Sequence, residues 1–190
     1  MNLPNWITLS RLLLAVPFLI VLELPGREWW ALGIFIVASC TDFIDGYLAR
    51  KLNLETSLGA LLDPLVDKVL VTGALIALAS RGAVPAWSVT LILFREFLVT
   101  GLRTLEAQRG IVLSAGMLGK LKTVLQMVAI CFLLYALNPT GPGLTTHVFG
   151  TIGVWLYWAA VVMTFISGAQ YLWAGRDLLK TPNQDESTGL

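Results

Sequence analysis

Six long apolar runs alternate with short polar links along the chain, at residues 6–24, 29–50, 57–80, 84–107, 116–137 and 146–172. Each is close to the ~20 residues an α-helix needs to cross the hydrocarbon core of a bilayer. Asn138-Pro-Thr-Gly-Pro-Gly143 is a turn cluster that separates the fifth run from the sixth. Trp29, Trp30, Trp87 and Trp173 lie near the ends of runs, where interfacial aromatics are expected. The first run could be taken for a secretory signal, but Pro17 stands in its middle and no A-x-A site precedes Gly26. It therefore reads as a retained membrane helix. No internal repeat is visible. The pattern predicts one six-helix transmembrane domain over residues 1–180, followed by a polar, disordered tail over 181–190.

Composition supports the membrane reading. Of 190 residues, 56% are hydrophobic and 13% charged, with mean hydropathy +0.76, against about 25% charged in a soluble domain. The expected fold class is all-α integral membrane. The 13 Lys+Arg nearly balance the 12 Asp+Glu, so overall charge points to no partner, and no nucleic-acid ligand is expected. Their distribution says more. Six spans put both termini on one side, which receives Arg11, Arg50, Lys51, Arg103, Arg109, Lys120, Lys122, Arg176 and Lys180, whereas the other side has Arg27 and Arg81. This bias predicts cytoplasmic termini. The expected setting is a bacterial-type inner (cytoplasmic) membrane crossed several times. Cys40 and Cys131 form no disulfide or metal-site pattern and read as packing residues.

Four aspartates interrupt the second and third runs. The frame is Asp42-x-x-Asp45-Gly46-x-x-Ala49-Arg50, then, after a polar link, Gly59-x-x-x-Asp63-x-x-x-Asp67. Ionisable residues at membrane depth are expensive and mark functional sites by default. Offsets of three, four and seven return to one helix face, so each helix presents its part of the frame on one side. The short link around Asn53 to Glu55 predicts that the two helices are antiparallel neighbours. At ~1.5 Å per residue, Asp45 and Asp42 lie about 8 and 12 Å from the Arg50 end, and Asp63 and Asp67 about 10 and 16 Å from Thr56. The carboxylates are thus expected to meet at similar depth, in a polar cavity open to the cytoplasm. Together they repel one another and must be protonated or bound to cations. An all-oxygen set without His or Cys favours Mg²⁺ or Mn²⁺ over zinc, and two such ions suit a phosphoryl centre. Gly46, Ala49 and Gly59 read singly as ordinary small-residue helix packing. Interleaved with the aspartates, they leave room for a ligand's phosphates.

This frame resembles the signature of the CDP-alcohol phosphatidyltransferases, with all eight fixed residues filled over 26 positions. The resemblance implies a six-helix membrane enzyme, usually a homodimer, that uses two divalent cations. It also implies that Asp42, Asp45 and Asp63 are metal ligands and that Asp67 is both a ligand and the base on the acceptor hydroxyl. Gly46, Ala49, Arg50 and Gly59 match positions lining the cytidine-diphosphate site for CDP-diacylglycerol. Arg50 has an independent reason to meet a pyrophosphate, as a cation at the mouth of the site.

A second set of charges, Arg95, Arg103, Lys120 and Lys122, needs its own explanation. Lys122 and Arg109 read first as positive-inside anchors. Arg95 lies too deep for easy snorkelling and is either in an internal ion pair or in an anion pocket. Such a pocket, formed by Arg95, Arg103 and Lys120, suits an acceptor that carries its own phosphate. Glu96 could orient Arg95 or pair with another cation. His147 falls in an expected outer loop. The opening Asn2-Leu-Pro-Asn-Trp-Ile-Thr-Leu-Ser-Arg11, Asp63-Pro-Leu-Val-Asp-Lys68, Arg95-Glu96 and Gly119-Lys120-Leu-Lys122-Thr123 resemble one branch of the family, the phosphatidylglycerophosphate synthases. That resemblance implies glycerol 3-phosphate as acceptor. Inositol phosphate or phosphatidylglycerol remain alternatives, as does a divalent-cation transporter, although the chain lacks the inverted repeat such transporters carry.

Overall fold

The computed structural model describes residues 15–52, 57–108, 117–138 and 141–174, with side chains at 15–41, 68–104, 118–138 and 141–173. Six helices account for nearly all of them: α1 (15–23), α2 (Glu28–Leu52), α3 (Ser57–Ser80), α4 (Ala86–Gln108), α5 (Met117–Ala136) and α6 (Gly143–Ala174). No strand occurs among the described residues. The second to sixth expected runs reappear within a few residues at each end, and the first ends within one residue of its expected end, while its start lies outside the described residues. The largest shift is at α6, where Thr146 N and the Thr145 hydroxyl both donate to the Pro142 carbonyl, at 3.0 and 2.8 Å, and start the helix early. His147, expected in an outer loop, is therefore an exposed residue within α6. The polar tail lies outside the described residues.

Turn chemistry sets the helix ends. After α3, Ala83 N donates to Leu78 O at 2.9 Å and Gly82 N to Ala79 O at 3.0 Å. This is the paired Schellman closure, and it places Gly82 at φ 71°, where a Cβ is disfavoured. Between α1 and α2, Gly26 holds φ 76° and its N–H donates to the Glu28 carboxylate at 3.3 Å.

The helices run alternately up and down. Arg81, just past α3, donates to the Leu22 carbonyl near the end of α1, which brings the two helix ends together. At the same end, Trp29 of α2 meets the Tyr135 ring of α5 edge-on at 4.8 Å, and Phe149 of α6 packs on Tyr135 at 4.7 Å. Laterally, α5 packs on α2, α3 and α6, while α4 packs on α3 and α6. Each helix contributes to one core: Phe18, Phe35, Leu75, Ile92, Leu134 and Tyr157 are all buried.

Large apolar side chains also cover the outside. Leu144 is 81% exposed, Trp155 and Trp173 73%, and Phe94 66%. A surface of that kind is inverted relative to a soluble protein and suits lipid contact. Among the described residues, two helices, Leu118–Ala136 and Gly143–Trp173, are long and apolar enough to cross a membrane. Their 19 and 31 residues give ~28 and ~46 Å, against a hydrocarbon core of ~30 Å. Cys131 packs partly against the core as expected, but Cys40 is exposed on the outer face of α2.

Candidate functional site

The aspartate frame falls on two helices. Asp42, Asp45, Gly46, Ala49 and Arg50 occupy the C-terminal part of α2, and Gly59, Asp63 and Asp67 the N-terminal half of α3. The backbone is helical through all eight positions, which is the condition the face argument needs. Their side chains lie outside the described residues, as does the link 53–56. The donor set is all-oxygen, so its chemistry fits hard divalent cations.

Immediately after Asp67, the described side chains form a partly buried polar network across four helices. Lys68 of α3 donates to the Thr100 hydroxyl of α4. That hydroxyl donates in turn to the Glu96 carbonyl, one turn earlier, at 2.8 Å. The Glu96 carboxylate then accepts from two cations through the same oxygen, Oε1: Arg95 Nη1 at 2.9 Å and the ammonium of Lys122, from α5. Arg95 Nη2 donates to Ser167 Oγ of α6 at 2.8 Å, and Ser167 Oγ donates to the Thr164 carbonyl at 3.2 Å. The next residue, Gly168, has no side chain, and a Cβ there would sit 3.1 Å from Arg95 Cγ and 3.3 Å from its Nε. Glycine is what lets the arginine lie across α6.

Helix geometry explains how two successive turns of α4 reach three neighbours. Consecutive residues point about 100° apart, so Arg95 can meet α6 while Glu96 meets the lysine from α5. Thr100, four residues beyond Glu96, returns close to that direction and receives α3. Arg103, two turns beyond Arg95, lies over the Tyr171 ring of α6 at 5.2 Å, in cation–π geometry. Arg95 and Arg103 thus both contact α6, Arg95 mostly buried and Arg103 exposed. Lys120, in the first turn of α5, is exposed.

Lys122 departs from the sequence expectation. An interfacial anchor would hold its ammonium out towards water. Instead its side chain is 3% exposed and bonded to Glu96. The reason is the partner: with a carboxylate in reach across the helix interface, a buried charge is paired instead of stranded. The internal ion pair considered for Arg95 is present, and its partner is its own neighbour Glu96. Reading residues one at a time misses this network. The signal is a set of polar positions at helical spacing inside apolar helices: Glu96 and Thr100 on α4, Lys122 and Gln126 on α5, and Thr164 and Ser167 on α6. Lys122, Gln126, Thr164 and Ser167 are all buried.

Known proteins share this chain's sequence along most of its length. Residues 1–166 match the family model for the CDP-alcohol phosphatidyltransferases. A Bacillus subtilis (strain 168) protein named CDP-diacylglycerol–glycerol-3-phosphate 3-phosphatidyltransferase is 42% identical, over 96% of this chain and 99% of its own length. A Rickettsia typhi protein of the same name is 40% identical, over 90% of this chain and 94% of its own. A Mycobacterium tuberculosis protein named probable phosphatidylglycerophosphate synthase is also 40% identical, over 90% of this chain and 80% of its own. With the eight-residue frame filled on α2 and α3 and a family match over most of its length, the chain belongs to the CDP-alcohol phosphatidyltransferase family.

Proposed function

We propose that this protein transfers the phosphatidyl group of CDP-diacylglycerol to glycerol 3-phosphate, giving phosphatidylglycerophosphate and CMP. The observation that carries the reading is the complete aspartate frame on α2 and α3, in a chain whose relatives are named for this reaction. In this reading the enzyme is a homodimer that crosses a bacterial inner membrane six times. Its termini are cytoplasmic, and its site opens to the cytoplasm beside Arg50 and Lys51. The basic bias of the links supports that orientation, and the apolar exterior supports the bilayer.

Asp42, Asp45, Asp63 and Asp67 are suited to hold two divalent cations, which when bound would neutralise charge on the pyrophosphate. The protein's own groups do the rest. Gly46, Ala49 and Gly59 are small enough to suit close approach of the cytidine diphosphate, and Arg50 offers a cation for its pyrophosphate. Asp67 takes the proton from the primary hydroxyl of glycerol 3-phosphate. The freed oxygen bonds to the diacylglycerol-side phosphorus, the bond from that phosphorus to the bridging oxygen breaks, and CMP departs with the electron pair. Arg95, Arg103 and Lys120 form the cationic side of the pocket and orient the acceptor through its phosphate. Such orientation matters because correct placement of two reactants supplies much of the rate.

The test is purified protein with CDP-diacylglycerol and, in turn, glycerol 3-phosphate, inositol phosphate, phosphatidylglycerol and choline, with CMP and lipid product both measured. CMP release and phosphatidylglycerophosphate formation with glycerol 3-phosphate are expected. Turnover with inositol phosphate or phosphatidylglycerol and none with glycerol 3-phosphate would overturn the acceptor assignment.

A further inference from the structure

The Glu96 carboxylate stands between two cations that come from different helices, and one oxygen serves both. A bridge built only to join helices would balance its charges. Among the described side chains, two cations share one anion, so the triad carries a surplus positive charge, with Arg95, Glu96 and Lys122 at 14%, 22% and 3% exposure. Burying surplus charge is unfavourable unless something pairs with it. Lys122 also had an easier course: Lys120, two residues earlier on the same helix, is exposed to solvent. Arg95 is held from the other side as well, by Ser167 and by the space that Gly168 leaves. Every contact of the triad acts on where the two cations stand.

We propose that Glu96 is a positioning residue that fixes Arg95 and Lys122 side by side, so that their surplus charge forms a preset face for the phosphate of the acceptor. This rests on the acceptor reading given above and adds Glu96, Lys122 and Ser167 to it. Glu96 itself repels an anion, so its benefit comes only through the cations it places. The network leads directly to the residue after Asp67, because Thr100 joins Lys68 to the next turn of α4. Acceptor phosphate and acceptor hydroxyl are thereby registered by two successive turns of one helix.

Steady-state kinetics, with each substrate varied separately in wild type, Glu96→Gln, Glu96→Asp and Ser167→Ala, decide the matter. Glu96→Gln should raise the KM for glycerol 3-phosphate about ten- to a hundredfold, the range for loss of a charge-assisted contact, with the KM for CDP-diacylglycerol unchanged. Glu96→Asp keeps the charge on a shorter arm and should recover part of that loss. Ser167→Ala removes a neutral tether of Arg95 without touching any charge. It provides a second route if the glutamine variant does not fold, and should raise the acceptor KM about two- to tenfold. A merely structural Glu96 would lower the yield of active enzyme and leave both KM values at wild type, which overturns the proposal. Equal rises in both KM values overturn it too. Wild-type enzyme that releases no CMP with glycerol 3-phosphate would instead defeat the acceptor reading beneath it.

Discussion

Removing the anion and removing one cation from the Arg95–Glu96–Lys122 triad are unequal perturbations, and their difference can be worked out from the contacts. Glu96→Gln leaves two positive charges facing each other with no carboxylate between them. Lys122→Met leaves one charge of each sign, still bonded through Arg95 Nη1 at 2.9 Å. Breaking a buried pair by deleting one partner costs about 3–5 kcal/mol, because the other charge is stranded. Glu96 is 22% exposed, so water screens part of this, and the lower end, about 3 kcal/mol, applies to the glutamine variant. The methionine variant loses one charge-assisted contact of about 1.5–3 kcal/mol. It also no longer has to desolvate an ammonium that is 3% exposed, so its net loss falls well below that range. Thermal unfolding in detergent, followed by the fluorescence of the seven tryptophans, reads the difference. At roughly 2–4 °C per kcal/mol for a chain of this size, Glu96→Gln should lower the midpoint by about 6–12 °C and Lys122→Met by less than half as much. Equal midpoints for the two variants, or a lower one for Lys122→Met, would refute the charge argument.

Three further outcomes test the site. Asp67→Asn should lower turnover ~10²–10⁴-fold, the usual cost of losing a positioned base, while CDP-diacylglycerol still binds; wild-type turnover in the folded variant would remove Asp67 from the mechanism. Excess chelator should stop the reaction, with Mg²⁺ or Mn²⁺ restoring it and Ca²⁺ doing so poorly because of its longer, looser coordination; full activity in chelator would sink the two-cation reading. Arg103→Ala should raise the acceptor KM about tenfold and Arg103→Lys should recover only part, since lysine keeps the charge but loses the planar fork. Equal changes towards both substrates would assign Arg103 to its contact with Tyr171 alone.

Where the described residues include the link, the helix ends were legible because turn chemistry with a physical cause bounds the apolar runs. Gly82 closes α3 in a left-handed conformation, and the Pro142 carbonyl starts α6. The aspartate frame stands out in the sequence for a related reason: carboxylates inside apolar runs have few structural uses, and the backbone is helical at all four positions. The positive-inside pattern gave Lys122 the wrong neighbourhood. A lysine five residues into a helix can reach either the interface or the core, and only the position of Glu96 on another helix decides between them. Cys40 shows the same limit, since an apolar run does not say which of its faces meets lipid. The part played by Gly168 was hidden for a different reason. Its meaning lies in the stem of Arg95, which crosses it from another helix.

These cases share one cause. In a bilayer the hydrophobic effect does not press helix against helix, because lipid is as apolar as leucine, so close packing and polar contacts must set how neighbours stand. Over six residues, α4 makes such contacts in three directions: Arg95 to Ser167, Glu96 to Lys122 and Thr100 to Lys68. Helix α3 carries Asp63 and Asp67, while α5 and α6 hold and receive the cations. Any slide of α4 along its axis would therefore break contacts with all three helices at once. In the mechanism proposed above, such a slide would change the distance between the acceptor's phosphate and Asp67, the proposed base on its hydroxyl. A bundle pinned over these two turns would keep that distance fixed, and that is the use the proposal gives to charged residues in positions where apolar ones would pack at lower cost.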